Sequence, residues 1–426
     1  MVKKLLIIAC LLSLFGCRQA FKKNEMVEDD SIKQIKIDNI DEDFVLKFSD
    51  VFERINFIRL ETLDNCLIGH IDKIIATDDK FIILDSSSAR MVFVFNNDGT
   101  FSNRIGTNGG SPEEYDEPSD IAYDKYDDEL LVLCHNRKTI LRFKLDGTFA
   151  GKTKIDWWVK SICVVDKNAC LLYFNNRIQS NGKKNDYNIF IINKEGKIIE
   201  KLLPFDKETG ELSPPKPSFS YYDNEILYAP YAFNHIYQLN DNKMKVKYFV
   251  DFGKRKIPES TFKNKTDVEL DIIIRDNDHA FNRSLLETSS HVICQFVYMG
   301  RGYDCYWSKE TETAKISSVY FNDMYALLTG GSVDFYLKGD SLINFIEPLF
   351  VNSYKDMIET MKKNKKDIND VLLSNISLLP DGKMKDNFIK ILNTKKITLT
   401  DVEIDFINSI EEEDNPILMV AKLKQF

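Results

Sequence analysis

Asp98-Gly99-Thr100-Phe101 recurs 48 residues later as Asp146-Gly147-Thr148-Phe149, and the apolar runs before the two copies superimpose. In the first copy these runs are Phe81 to Asp85 and Met91 to Phe95; in the second they are Leu131 to Leu133 and Ile140 to Phe143. Each unit therefore reads strand, turn, strand, Asp-Gly turn, strand. Asp-Gly between alternating apolar runs is a strong hairpin signal, because glycine accepts the positive φ of a tight turn. A third copy follows at Ile189 to Ile192 with Glu195-Gly196-Lys197, and a fourth at His235 to Leu239 with Asp241-Asn242. A fifth is read at His291 to Val297 and Tyr303 to Trp307, with Lys309-Glu310-Thr311 as its turn. Asp334 to Leu337 and Leu342 to Ile346 open a sixth.

A period of roughly 40–50 residues with about four strands is the pattern of a β-propeller blade. One such sheet leaves an apolar face uncovered, whereas sheets packed side by side cover one another. A helical solenoid would need 3.6-residue periodicity inside each repeat, and none precedes residue 350; tandem β-sandwiches are the competing all-β arrangement. The expected fold is an all-β, six-bladed propeller with short C-terminal helices inserted in the closing blade, at about 352–414. Asn352 to Lys366 reads as one helix, with Tyr354, Met357, Ile358 and Met361 on one face, and Thr400 to Glu412 as another. Thr400 with Glu403 three places on is a capping-box pattern. The final run Ile417 to Leu423 is expected to share a blade with Arg54 to Leu60, which would close the ring.

The N-terminus carries a different message. Lys3-Lys4 followed by the apolar run Leu5 to Phe15 has the form of an export signal, too short to span a bilayer. Leu14-Phe15-Gly16-Cys17 resembles a bacterial lipobox, which implies that residues 1–16 are removed and Cys17 is lipidated. Acyl chains contribute about 0.8 kcal/mol per buried methylene, enough for stable attachment when several are present. The polar stretch 17–40 is expected to be a tether, with the body at 41–426. The formal charge of −9 and pI of 5.3 argue against nucleic acid as a partner, since phosphate backbones are held by clustered Lys and Arg. The expected partners are the membrane, through the anchor, and an envelope protein or glycan, bound by a monomer.

Gly106 to Gly110 with Ser111-Pro112-Glu113-Glu114-Tyr115, together with Ile58 to Thr62 and Glu413 to Leu418, resembles the six-bladed β-propeller lipoproteins of Bacteroidetes, relatives of NHL-repeat propellers. Members commonly show Gly-Pro-Gly-Glu-Tyr in this segment; here Pro112, Glu114 and Tyr115 are kept, with Ser111 and Glu113 in place of the glycines. The resemblance covers about residues 45 to 426 and implies a fold and an outer-membrane or wider envelope location. It also implies the alternative to a pure binding role: a lactonase-like, metal-dependent hydrolase or lyase with Ca²⁺ or Zn²⁺ at a site in the central channel. No other cofactor is expected.

The residues themselves offer few catalytic signatures. The glycine segment lacks the Gly-Lys-Ser/Thr of a phosphate loop, so it reads as a turn between blades. His70, His135, His235, His279 and His291 show no local zinc spacing. Asp276-Asn277-Asp278-His279 lacks the rest of a calcium loop, and the prolines in Ser213-Pro214-Pro215-Lys216 forbid a catalytic Ser-x-x-Lys turn. No Gly-x-Ser-x-Gly elbow is present. The six mature cysteines read as small buried hydrophobes, with Cys163 and Cys170 the one pair near enough for a hairpin bridge. Of Trp157-Trp158 and Tyr221-Tyr222, one member of each pair is expected to pack between blades. The candidate ligand-binding residues at the ring's mouth are Asp120, Lys160, Tyr221 and Arg283, each near an expected inner strand.

Overall fold

The computed structural model describes residues 32–37, 39–177, 186–204, 219–222, 224–265, 268–269, 272–273, 279–325 and 334–426. The signal segment, Cys17, and the runs Ser213 to Lys216 and Asp276 to Asp278 lie outside them. The unit that holds the sheets runs from Gln34 to Phe426.

Among the described residues the chain forms six antiparallel sheets of four or five strands and one two-stranded parallel ribbon, Val45–Lys47 beside Val319–Phe321. The first sheet is a simple meander of Lys73–Ala76, Lys80–Asp85, Met91–Asn96 and Phe101–Ile105. The second repeats it with Asp120–Asp124, Glu129–Cys134, Thr139–Lys144 and Phe149–Lys154. The third, fourth and fifth begin at Ser161–Asp166, Phe219–Tyr222 and Ala280–Glu287. The sixth runs Tyr336–Lys338, Ser341–Ile346, Ile417–Leu423 and Phe52–Arg59, so its outer strand comes from near the start of the chain.

Strand alternation explains how the sheets pack. Phe81, Ile83, Phe93 and Phe95 of the first sheet share a core with Ile343, Phe345 and Leu418 of the sixth. Their neighbours Ile82, Leu84, Val92 and Val94 point the other way, into a core with Ile121, Leu130 and Val132 of the second. The second shares a core with the third, the third with the fourth, the fourth with the fifth and the fifth with the sixth. Central strands thus bury both faces, which is why they read as continuous apolar runs rather than clean alternation. The arrangement is propeller-like.

The Asp-Gly turns have two jobs. Gly99 takes φ +90°, and Asp98 accepts the Thr100 backbone N–H at 3.0 Å. A Cβ on Gly99 would also sit 2.1 Å from the Arg59 carbonyl oxygen, and one on Gly147 2.9 Å from that of Arg104. Each turn therefore rests against the backbone of the preceding sheet's outer strand. The glycine-rich segment 106–115 is likewise a structural turn. Tyr115 is fully buried and donates to the Ile105 carbonyl at 2.7 Å, while Arg137 donates to the carbonyls of Gly109, Ser111 and Glu114.

Two expectations are corrected. First, the chain joins the body before Asp41: Lys33–Lys36 is a strand at the edge of the fourth sheet, with Ile35 and Ile37 buried, because these two isoleucines complete the core shared with the fifth. Second, the C-terminal insert holds four helices rather than two: Pro348–Asn364, Ile368–Ser377, Lys383–Thr394 and Asp401–Asn408. Their inner faces form a separate core through Val351, Ile358, Ile368 and Ile407, and the Thr400–Glu403 capping box is present. The six cysteines are buried and free, as expected: Cys163 stands opposite Leu171 while Cys170 stands opposite Val164, so these two thiols face different cores and do not bridge. Of Tyr221 and Tyr222, Tyr221 is exposed to the cavity, whereas the Tyr222 ring lies under the ammonium of Lys309, which follows Arg301–Ser308 of the fifth sheet, at 4.4 Å. Ring closure follows the expected pairing, with Ile417 opposite Arg59 and Val420 opposite Asn56.

Candidate functional site

The first strand of each of the six sheets lends residues to a single cavity of about 730 Å³. Such a volume falls within the roughly 300–1,000 Å³ typical of small-molecule sites. These inner strands have one hydrogen-bonded neighbour each, so their free edges must be satisfied by side chains or by whatever occupies the cavity.

Where the inner strands begin, side chains do this stitching. Lys73 on the first sheet donates to Asp120 at 2.8 Å and to the Ile121 carbonyl at 2.7 Å, both on the second. Asp120 in turn accepts the backbone N–H of Ile162 on the third sheet at 2.8 Å. Arg283 on the fifth sheet pairs with Asp334 at 3.0 Å, and Tyr336 on the sixth donates to the Asp72 carbonyl at 3.3 Å. Neighbouring sheets are thereby tied around the cavity by partnered polar groups.

The opposite mouth is more open. The Lys125 ammonium of the second sheet donates to the Asn224 side chain of the fourth, reaching past the third. Asp340 accepts from the backbone N–H and hydroxyl of Ser289. Tyr126 and Tyr221 line the cavity and are each 44% exposed, so their rings are available to an occupant. Burial and the hydrogen bond to Asp128 push the Tyr123 phenol up, and burial beside Asp334 does the same at Tyr336. Both phenols are neutral hydroxyls at physiological pH.

One polar atom in the wall is left over. Ser220 is among the lining residues, but its Oγ is buried away from the cavity's accessible surface and has no hydrogen-bond partner among the described residues. By contrast the Ser284 hydroxyl donates to Gln295, whose amide donates to Asp304. A buried hydroxyl without a partner costs free energy.

The sequence-derived residues are thus only partly brought together. Tyr221 and Arg283 line the cavity. Asp120 lies behind its wall, 3% exposed, with its oxygens engaged by Lys73 and Ile162. Lys160 is exposed and stands near His135, which burial pushes down and which packs against Trp158, itself covered by Arg177. Trp157 packs on Phe174 and Phe190 as a blade-core residue. Sequence reasoning missed Tyr126, Lys125 and Ser220, since nothing in a single strand's pattern tells which end of it meets the cavity.

A second hollow of about 540 Å³ lies between the helical insert and the last residues, lined by Lys395, Lys396 and Lys424. Lys395 is held by the buried Asp323 at 2.7 Å. Among the described residues, no three His, Cys, Asp or Glu side chains gather as a metal-holding group, and no helix is long and apolar enough to cross a membrane.

Comparison with known proteins adds a frame. A family profile described as "Domain of unknown function (DUF4934)" matches residues 32–422. A crystal structure of a candidate exported protein from Bacteroides fragilis is similar at 17% identity and TM-score 0.69, covering 92% of this chain and 100% of that one. A DUF4221-family member from Bacteroides vulgatus shares 10% identity, with TM-score 0.47, over 70% of this chain and 93% of that one. Virginiamycin B lyase from Staphylococcus aureus shares 14% identity, with TM-score 0.34, over 68% and 81%. Among curated proteins nothing matches.

Proposed function

This chain belongs to the family described as "Domain of unknown function (DUF4934)", and on that premise we propose that it is a lipid-anchored, six-bladed β-propeller of the bacterial cell envelope that binds a glycan or protein segment in its central cavity. The observation that carries this reading is the convergence of all six inner strands on one cavity with exposed tyrosine rings at its open mouth. Ligand sites are concave, mostly apolar and furnished with a few placed polar groups, and this cavity has that composition. The polar groups found there are engaged in ties between sheets or are neutral hydroxyls and amides. That favours holding a ligand over transforming it.

The location rests on the lipobox-like Leu14-Phe15-Gly16-Cys17 and on the structural likeness to a candidate exported protein. Anchorage in the outer membrane, through acyl chains on Cys17, is part of the proposal.

The test is a thermal-unfolding screen of the detergent-purified chain against size-fractionated Bacteroides envelope extract, alongside the variant Ser289→Trp. Ser289 is exposed at the open mouth, so a tryptophan there obstructs the cavity without entering the core. At least one fraction is expected to raise the unfolding temperature of the wild type, as ligand linkage requires, and not that of the variant. Fractions that stabilise both proteins equally, or none at all, would overturn the cavity reading.

A further inference from the structure

We propose that the cavity takes a neutral pyranose sugar, stacked on Tyr221 and Tyr126 and hydrogen-bonded to the Ser284–Gln295 pair. The inference rests on the cavity reading above and names its ligand's chemistry. Three observations lead to it.

Charge comes first. Within the wall the ionic groups already have partners: Lys73 with Asp120, Arg283 with Asp334, and Asp340 with the Ser289 backbone and hydroxyl. An ionic ligand would have to break one of these ties and leave a buried charge behind, at a cost that a solvated ion does not recover. Lys125 and Asp340, which have no ion-pair partner among the described residues, are of opposite sign, and Lys125 is exposed at the mouth beside the Tyr126 ring. Counted with their partners, the charged residues described in the wall therefore sum to zero, which favours a neutral occupant.

The aromatic rings come second. Tyr221 and Tyr126 present large uncovered surface inside a concave site, whereas most other rings of the chain are packed. A ring face carries negative quadrupole potential, and it pairs with weakly positive C–H groups. One face of a pyranose is a patch of such C–H bonds, while its edge carries hydroxyls.

Hydrogen bonding comes third. The Ser284–Gln295 pair of the fifth sheet, which lines the cavity, is a hydroxyl and an amide, able to donate and accept. A sugar hydroxyl has the same dual character, so it can pair with either group in either direction. A flat aromatic ligand would use the tyrosines but offers few groups around its perimeter to reach polar atoms on separate walls.

Saturation-transfer NMR on the full-length chain tests this directly, in a detergent without a sugar headgroup. The probes are the methyl glycosides of glucose, galactose, mannose and N-acetylglucosamine, with methyl glucuronide and adenosine as charged and planar competitors. At least one neutral glycoside is expected to bind, with saturation strongest on the ring C–H protons of one face. Tyr221→Ala and Tyr126→Ala should each weaken it tenfold or more, Tyr221→Phe should restore most of the loss, and Ser284→Ala should cost about threefold to tenfold. Lys160→Ala, outside the cavity, should leave binding unchanged, and near-ultraviolet circular dichroism would confirm that each variant is folded. Binding of only the glucuronide or adenosine, binding indifferent to both tyrosine truncations, or no glycoside binding at all would overturn the proposal. If an extract fraction still stabilises the wild type and not Ser289→Trp, the cavity reading stands and the sugar assignment alone falls.

Discussion

Asn415 is a single residue on which the closure of the ring depends. It is 1% exposed, and its amide donates to the carbonyls of Glu61 at 2.7 Å and Cys66 at 2.9 Å. Its side-chain oxygen accepts the Ile68 N–H at 2.8 Å. Asn415→Ala removes these three bonds at once and strands two carbonyls and one N–H. At a net value near 1 kcal/mol per bond the loss is about 3 kcal/mol if water enters the space. If the space stays dry the orphaned groups raise it toward about 5 kcal/mol. Urea unfolding followed by intrinsic fluorescence reads this as a lower midpoint at unchanged slope. Asn415→Asp, nearly the same in shape, sets a carboxylate against two carbonyls. It should cost at least as much at pH 7 and partly recover as the pH falls, because protonation returns one donor. Thr62→Ala removes one bond, to the Asn415 N–H at 2.9 Å, and should cost only about 1 kcal/mol. An Asn415→Ala loss below about 1 kcal/mol would refute the idea that this amide ties the chain's two ends together.

Two further outcomes are expected from features of the fold. Glu287 is 2% exposed; burial alone would raise its pKa, yet the hydrogen bonds from Lys309, Lys247 and Tyr248 prevail and hold it below its ordinary 4.5. Its folded-state value being depressed, its contribution is complete above about pH 4.5 and fades as the pH falls through the folded value. Glu287→Gln should therefore cost about 3 kcal/mol at pH 7, with the gap to the wild type closing on acidification in chemical-denaturation series. Gly99→Ala should destabilise more than Gly147→Ala, since its Cβ would meet a carbonyl oxygen at 2.1 Å rather than 2.9 Å at nearly the same φ. Equal unfolding midpoints for the two variants would contradict the close-approach argument.

Much of the architecture was legible because the repeat is carried by local chemistry. The Asp-Gly turns at 98–99 and 146–147 mark hairpins wherever they occur, and the apolar runs beside them become the central strands. What could not be read was contact between repeats. That Gly99 rests on the backbone of Arg59 depends on two strands about forty residues apart, which no window on the sequence displays. The middle helices of the insert were missed because Ile368–Ser377 is short and Lys383–Thr394 is mostly polar, with Leu392 its one fully buried residue. At the site, Arg283 and Tyr221 were found because they sit on inner strands, but so does Asp120, which is spent on the Ile162 backbone. Lys160 falls one residue before the inner strand of its sheet and points to a different surface. Proximity to a strand is visible in a sequence; which neighbour will claim the side chain is not.

The sixth sheet draws its outer strand, Phe52–Arg59, from early in the chain and its neighbour, Ile417–Leu423, from the last ten residues. A polypeptide released or clipped before Ile417 would keep five complete sheets and a stranded Phe52–Arg59 segment, with its backbone ladder and apolar side chains open to solvent. Such a chain would advertise its own incompleteness. A protease that samples exposed extended segments would meet this one on every unfinished copy and find it paired on a finished one.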